Sequence, residues 1–136
     1  MNPDLLFTAP DTAIPNIGTK AYDFLVELSS GEPIAKRDLL LKFGEAMRSP
    51  LQMLENDRYQ FWCIQRVDIQ GEPCLQLDER HLSGVWELDA IARCERKLKL
   101  RGESYKQARN ETERLPLAKD KLAIARKESA QMKPSA

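Results

Sequence analysis

The sequence predicts a mainly α-helical protein with a small β-hairpin, an α+β fold. Two observations support this class. Segments beginning near residues 19, 35, 50, 84 and 116 repeat apolar residues at the three- and four-residue spacing of a helix with one buried face. Between the third and fourth of them, a run rich in aromatic and β-branched residues leads through a turn containing Gly71 and Pro73 to a short alternating segment, which is the pattern of a hairpin.

The composition is that of an ordinary globular domain. Of the 136 residues, 42% are hydrophobic and 31% are charged. No apolar run approaches the roughly 18 residues of a membrane span, and the N-terminal segment lacks the basic region of a secretory signal. We therefore expect a cytoplasmic protein that does not enter a membrane.

The cysteines predict reduced thiols rather than a disulfide framework or a metal site. Cys63, Cys74 and Cys94 are an odd number at irregular spacing, and they include no C-x-x-C pair. The chain also contains no P-loop, no G-x-G-x-x-G and no nucleophile elbow. The sequence thus predicts that the protein is not an enzyme and binds no cofactor or metal.

The charge is balanced in total but uneven along the chain. The 21 basic and 21 acidic residues give a net charge of zero. Residues 1–35 have one basic and five acidic residues, whereas residues 81–136 have thirteen basic and eight acidic ones. Zero net charge weakens the expectation of nucleic-acid binding, because that affinity depends largely on neutralising phosphates. The positive potential is predicted to lie in the C-terminal part.

Residues 1–18 are predicted to form an extended N-terminal arm. They contain Pro3, Pro10 and Pro15, and proline lacks the backbone donor that a helix interior needs. Four apolar side chains are available to fix this arm to a surface: Leu5, Leu6, Phe7 and Ile14. Two interpretations remain open, a partly ordered tail and a segment exchanged between subunits.

The first two helices have recognisable ends. Thr19 is a favourable N-cap for the first helix, and Gly31 ends it. The buried face of this helix is predicted to consist of Ala21, Phe24, Leu25 and Leu28. The second helix runs from about Ala35 to Phe43, and a turn from Gly44 to Arg48 follows it.

The third helix is predicted from a capping box. Ser49 is placed as the N-cap, Pro50 as the first helical residue and Gln52 at the third position, where its side chain can bond back to the cap. The helix then runs from Pro50 to Glu55 or Asn56. Leu51 and Leu54 are predicted to point inward, and Glu55 outward.

The hairpin is predicted to follow directly. Its first strand is Tyr59–Val67, its turn is 68–73, and its second strand is Cys74–Leu77. Phe61 and Trp62 are predicted to be core residues. A lone hairpin is marginally stable in water, so we expect it to pack against the helices.

Two helices are predicted after the hairpin, at 84–113 and 116–131. The first has an apolar start and a basic continuation, and Pro116 separates it from the second. Trp86 is predicted to anchor the first of them by packing, and His81 to lie at the surface or at a cap. The two helices form either an antiparallel hairpin or an arm that reaches a second subunit.

The order of helix, helix, Gly-containing turn, capped helix and hairpin over residues 19–82 resembles a winged helix-turn-helix domain. The resemblance covers only the winged core at 19–82. Together with the patterns described above, it predicts three parts: an N-terminal arm at 1–18, this core, and a C-terminal helical arm at 83–136 that dimerises the protein or binds a partner. It also implies that the third helix lies in the DNA major groove and that the hairpin touches the backbone or minor groove.

The resemblance further implies which residues contact double-stranded DNA. Gln52 and Asn56 are the base-reading amides, and Ser49 with the adjacent backbone amides holds a phosphate. The full set is Lys36, Arg37, Lys42, Arg48, Ser49, Gln52, Asn56, Arg58, Arg66 and Gln70. The basic run of the fourth helix is predicted to be either a solvated face or a contact with phosphate or a partner: Arg93, Arg96, Lys97, Lys99 and Arg101.

The sequence therefore predicts a small dimeric DNA-binding transcriptional regulator of the kind found in bacteria, phages or other mobile elements. The alternative is a protein-interaction adaptor or inhibitor that keeps the winged fold and binds a partner protein, for example a nucleic-acid enzyme. Glu45, Glu55 and Asp57 favour the alternative, because they put negative charge on or beside the proposed reading surface.

Overall fold

A computed structural model describes residues 1–108 and 115–132. This part of the chain is mainly helical with a small antiparallel sheet, so the predicted α+β class is confirmed. The helices and strands, in chain order, are α1 Pro3–Thr8, α2 Lys20–Leu28, β1 Ile34–Ala35, α3 Lys36–Phe43, α4 Arg48–Glu55, β2 Ile64–Ile69, β3 Glu72–Leu77, α5 Trp86–Ala108 and α6 Leu115–Met132.

The predicted extended arm is wrong for Pro3–Thr8, which form α1. Asn2 caps this helix by accepting a hydrogen bond of 3.0 Å from the backbone N–H of Asp4. Pro3 occupies the first turn, where its missing N–H costs nothing. Leu5 is fully buried in the core, while Phe7 is 83% exposed. The segment therefore packs on its own chain.

The boundaries of α2 and α3 agree with the prediction. The Thr19 hydroxyl accepts a hydrogen bond of 3.2 Å from the backbone N–H of Tyr22, as expected of an N-cap. The predicted inner face of α2 is buried: Ala21, Phe24, Leu25 and Leu28. In α3 only Leu39 is fully covered, and Leu40 and Leu41 are exposed.

The predicted capping box before α4 is wrong. A 3₁₀ turn, Gly44–Met47, runs directly into the helix, which begins at Arg48 rather than Pro50. Met47 holds the cap position with helical φ and ψ and no side-chain cap, and Ser49 lies inside the helix. Leu51 and Leu54 point inward as predicted.

The sheet has three strands in the order β1–β3–β2, all antiparallel. The sequence did not predict β1, which pairs Ile34 with Leu75 and Ala35 with Cys74. The first strand of the hairpin, β2, begins at Ile64, five residues after the predicted start at Tyr59. The reason is that Gln60 and Phe61 have left-handed φ angles of 62° and 58°, which interrupt an extended strand. The strands also extend further into the predicted turn, which is reduced to Gln70 and Gly71.

The core lies between the helices and the covered face of the sheet. Phe24 and Phe43 pack with ring centroids 5.1 Å apart. Trp62 is fully buried, as predicted, and its indole N–H donates a 2.8 Å hydrogen bond to the carbonyl of Ala13. Phe61, predicted as core, is 7% exposed. The N-terminal segment is thereby tied to the chain that follows α4.

Helices α5 and α6 pack against each other in antiparallel directions. The Lys97 ammonium lies 2.9 Å from the Glu128 carboxylate, and α6 buries Leu122 and Ala125. Trp86, predicted as a packing anchor, is 62% exposed. The predicted helix over 109–113 lies outside the described residues. No helix in the described ranges has the length and hydropathy needed to cross a membrane.

Candidate nucleic-acid interface

The outer face of α4 is the centre of the candidate interface. Arg48, Ser49, Gln52 and Met53 are exposed along it, while Pro50, Leu51 and Leu54 anchor its other side. Because α4 starts at Arg48, this side chain belongs to the first turn of the helix rather than to the preceding loop. An exposed amide and an exposed cation are thus presented on adjacent turns of one short helix.

Asn56 is not presented in the way that the resemblance implies. Its side-chain oxygen accepts a hydrogen bond of 2.9 Å from the backbone N–H of Arg58 and so caps the short 3₁₀ turn after α4. The Arg58 guanidinium stacks 5.4 Å from the Tyr59 ring centroid and remains exposed. Of the two amides predicted to read bases, Gln52 keeps its polar group directed outward from α4.

The basic residues around α4 are partly neutralised by acidic neighbours. Arg37 lies 3.1 Å from Glu72 in an exposed ion pair, which joins the start of α3 to the β2–β3 hairpin. Lys42 pairs with Glu27. Ion pairs of this kind compete with phosphate but are weak in water.

The fixed charge of this region sums to zero. Between residues 36 and 72 the sequence contains six basic and six acidic residues. Within the described ranges, ion pairs engage Arg37, Lys42 and Arg66, and leave three of the predicted cations outside any pair: Lys36, Arg48 and Arg58. Gln70, at φ 52°, forms the hairpin tip with Gly71. The interface is therefore polar rather than strongly basic.

Arg66, on β2, is bound to Glu55, although its side chain remains 46% exposed. Its guanidinium donates to both carboxylate oxygens of Glu55, at 2.5 and 2.7 Å. Glu55 was predicted to point outward, yet it is only 3% exposed. Its burial follows from these two bonds, since a buried carboxylate needs charged or polar donors.

Most of the cations predicted on α5 serve contacts within the molecule. Arg93 is buried, and Arg96 donates a 3.1 Å hydrogen bond to the backbone carbonyl of Glu55. Lys97 binds Glu128, and the Arg101 guanidinium lies 5.7 Å from the Phe61 ring. Lys99 is exposed. The basic run thus fastens α5 to α6 and to the segment after α4.

A buried polar network joins the segment before β2 to α5, and its centre is His81. This residue is fully buried, so the predicted surface or cap position is wrong. Its Nε2 accepts a 2.9 Å hydrogen bond from the backbone N–H of Cys63, which places the imidazole proton on Nδ1, 2.7 Å from Asp89. Burial lowers the pKa of His81 below its ordinary value, and the bond to Asp89 offsets only part of that effect.

Asp89 and Arg93 continue the network one helical turn along α5. The Arg93 guanidinium donates to both Asp89 oxygens at 2.9 and 3.2 Å, and to the carbonyl of Gln60 at 2.9 Å. It also lies 4.0 Å from the Trp62 ring centroid. Burial alone would raise the pKa of Asp89, but hydrogen bonds from His81 and Arg93 outweigh it and lower the pKa.

Asp78 forms a second, more exposed cluster at the end of β3. It accepts hydrogen bonds from Arg80 at 2.9 Å and from Gln65 at 2.8 Å, and Arg80 also reaches Glu95 at 2.7 Å. Burial opposes ionisation of Asp78, but these donors prevail and lower its pKa. Among the described residues, no group of three His, Cys, Asp or Glu side chains is arranged to hold a metal ion.

The sequence did not predict that Glu55 links α4 to the hairpin and to α5, or that the His81 network links the segment before β2 to α5. One signal was present for Glu55: an acidic residue in the last turn of a helix opposes the macrodipole unless a cation compensates it.

No protein-family model matches the chain, and no curated protein or solved structure is significantly similar to it.

Proposed function

We propose that the protein is a small cytoplasmic DNA-binding transcriptional regulator with a winged helix-turn-helix core at residues 19–82. The observation that carries this proposal is the order α2–β1–α3–α4–β2–β3, in which the two-residue strand β1 pairs with β3 beside the β2–β3 hairpin. In this proposal α4 is the recognition helix and the β2–β3 hairpin is the wing.

The exposed chemistry of α4 supports a role in reading DNA. Gln52 carries an amide suited to bidentate pairing with adenine in the major groove. Arg48, one turn earlier, and Lys36, at the start of α3, supply cations outside any ion pair within the described residues. Contacts from such cations to phosphate position the helix, while Gln52 contributes the sequence information.

The test is binding to a random-sequence duplex at low salt, measured by fluorescence anisotropy. We expect micromolar binding that weakens as salt rises, because counterions are released from the phosphates that the protein neutralises. Arg48→Ala should lower affinity and reduce the slope of log K against log salt by about 0.9. Lys119→Ala, an exposed change on α6, is the matched control and should leave both quantities unchanged. Unaltered binding by Arg48→Ala would contradict the assignment of α4.

A second candidate function, a protein-interaction adaptor, is favoured by a different observation. Leu41 on α3 is 85% exposed, and Met53 on α4 is 38% exposed beside a shallow groove of about 400 Å³ whose charged lining residues are Lys20 and Arg58. Exposed apolar side chains of this kind are typical of protein contacts. Absence of any DNA binding by the wild type at micromolar concentration and low salt would favour the adaptor.

We also propose that the protein is a homodimer. Leu117 and Ile124 are 59% and 56% exposed and lie seven residues apart on α6, on a different stripe from the residues that pack on α5. Sedimentation velocity at increasing concentration measures this directly, and a constant monomer mass would contradict it.

A further inference from the structure

Glu55 occupies a position that is unfavourable for an acidic residue. It is the last residue of α4, where the helix dipole presents negative potential, and its side chain is almost wholly buried. A carboxylate in such a place is retained only if cations surround it. The structure supplies two, and they come from two other elements of the fold.

The first cation comes from the hairpin and the second from α5. Arg66 on β2 binds the carboxylate through two hydrogen bonds. The Nε of Arg96 donates to the backbone carbonyl of Glu55 at 3.1 Å and lies 3.8 Å from its carboxylate. Arg96 therefore satisfies a terminal carbonyl of α4 and adds positive charge where the dipole favours it.

The chain that leaves α4 is held by α5 at a second point. Gln60 and Phe61 are in the left-handed region, which costs free energy for residues other than glycine. The guanidinium of Arg93 binds the Gln60 carbonyl, and the backbone N–H groups of Phe61 and Trp62 bond back to the carbonyls of Asn56 and Leu54. Helix α5 thus contacts both the end of α4 and the left-handed turn at Gln60 and Phe61, which sets the direction in which β2 leaves α4.

We propose that Arg96 is a positioning residue for DNA binding: through Glu55 it fixes the recognition helix relative to the wing. In this proposal α5 belongs to the same DNA-binding unit as α4 and the β2–β3 hairpin rather than to a separate arm, and Arg96 contacts no phosphate. This inference rests on the proposed DNA-binding function and deepens it. It assigns to the C-terminal arm the task of keeping α4 and the β2–β3 hairpin in one fixed geometry.

The experiment compares Arg96→Ala with Lys106→Ala, a control that removes an exposed cation from the same helix. Binding to the random duplex is measured across a salt series. Arg96→Ala should weaken binding about fivefold, a coupling of ordinary size between distant parts of one protein. Its salt slope should remain that of the wild type, because no phosphate contact is lost. Lys106→Ala should change neither quantity.

Hydrogen exchange of the unbound protein gives a readout that does not depend on DNA. Arg96→Ala should speed the exchange of the Phe61 and Trp62 amides and of the β2 amides that pair with β3. The α2 amides should exchange as in the wild type, which distinguishes local release from general destabilisation. Should Arg96→Ala not fold, Arg96→Lys, which keeps the charge and a donor, takes its place with smaller changes of the same kind.

Two results would overturn the inference. A salt slope that falls as it does for Arg48→Ala would make Arg96 a phosphate contact. Unchanged exchange at Phe61, Trp62 and β2 would show that Arg96 does not hold the junction. If the wild-type protein binds no DNA, the proposed function fails, and the exchange measurement still decides whether Arg96 couples α5 to α4 and the hairpin.

Discussion

Asp89→Asn is expected to destabilise the protein strongly, because it leaves the Arg93 charge buried without a partner. The side chains of Asp89 and Arg93 are 3% and 9% exposed, and the ion pair is made through two hydrogen bonds. Asparagine keeps the shape and an oxygen to accept from His81, so the change removes mainly the charge.

The magnitude follows from the burial of this pair. Removing one partner of a buried ion pair costs about 3–5 kcal/mol, since the remaining charge loses its compensation. Contacts of Arg93 with the Gln60 carbonyl and the Trp62 ring survive, so we expect the lower end, about 3 kcal/mol. For a chain of this size that corresponds to a fall in Tm of roughly 10 °C.

The assay is urea unfolding followed by circular dichroism, with thermal unfolding as a second measurement. The matched control is Glu72→Gln, which breaks the exposed pair with Arg37 and should cost less than about 1 kcal/mol. A loss for Asp89→Asn no larger than that of the control would refute the view that this network fastens α5 to the core.

Three further outcomes follow from the same contacts. The pKa of His81 is lowered in the folded state, so the unfolded chain binds the proton more readily. The contribution of His81 to the free energy of unfolding should therefore be fully present above about pH 6.5 and fall as the pH drops below it. Urea midpoints measured between about pH 8 and 5 would show this decrease. If those midpoints did not move, His81 would not be buried as the neutral form. Burial, with Asp78 beside it, raises the pKa of Cys63 to about 11, so iodoacetamide at pH 8 should alkylate this thiol far more slowly than a free cysteine, and equal rates would contradict that environment. Trp62→Phe removes the donor to the Ala13 carbonyl and should cost about 1–3 kcal/mol in urea unfolding; a neutral result would mean that this bond does not tie down the N-terminal segment.

The parts of the fold that the sequence predicted are those decided by neighbouring residues. Thr19 caps α2 and the apolar spacing of that helix selects its buried face, and both are visible within ten residues. The β2–β3 hairpin is likewise specified by alternation and by Gly71 in a tight turn. The α1 helix was missed because Pro3 counts against a helix in general, yet it is tolerated in the first turn.

The remainder depends on residues that are distant in sequence. Glu55 is buried because Arg66 and Arg96 reach it from 11 and 41 positions away, and no local pattern indicates this. His81 is buried because Cys63 and Asp89 satisfy both of its nitrogens. Asp89 and Glu55 likewise bind Arg93 and Arg96, respectively. These contacts explain why the two cations are not solvent-exposed, although the polar sequence of the helix predicts that they would be.

The most direct test of the account is an NMR titration of the protein with the random-sequence duplex. If α4 is the recognition helix, the largest amide shifts will fall on residues 48–52, with smaller ones at the start of α3 and at the hairpin tip around Gln70 and Gly71. Shifts confined to α6, or no shifts at micromolar protein and low salt, would contradict the account.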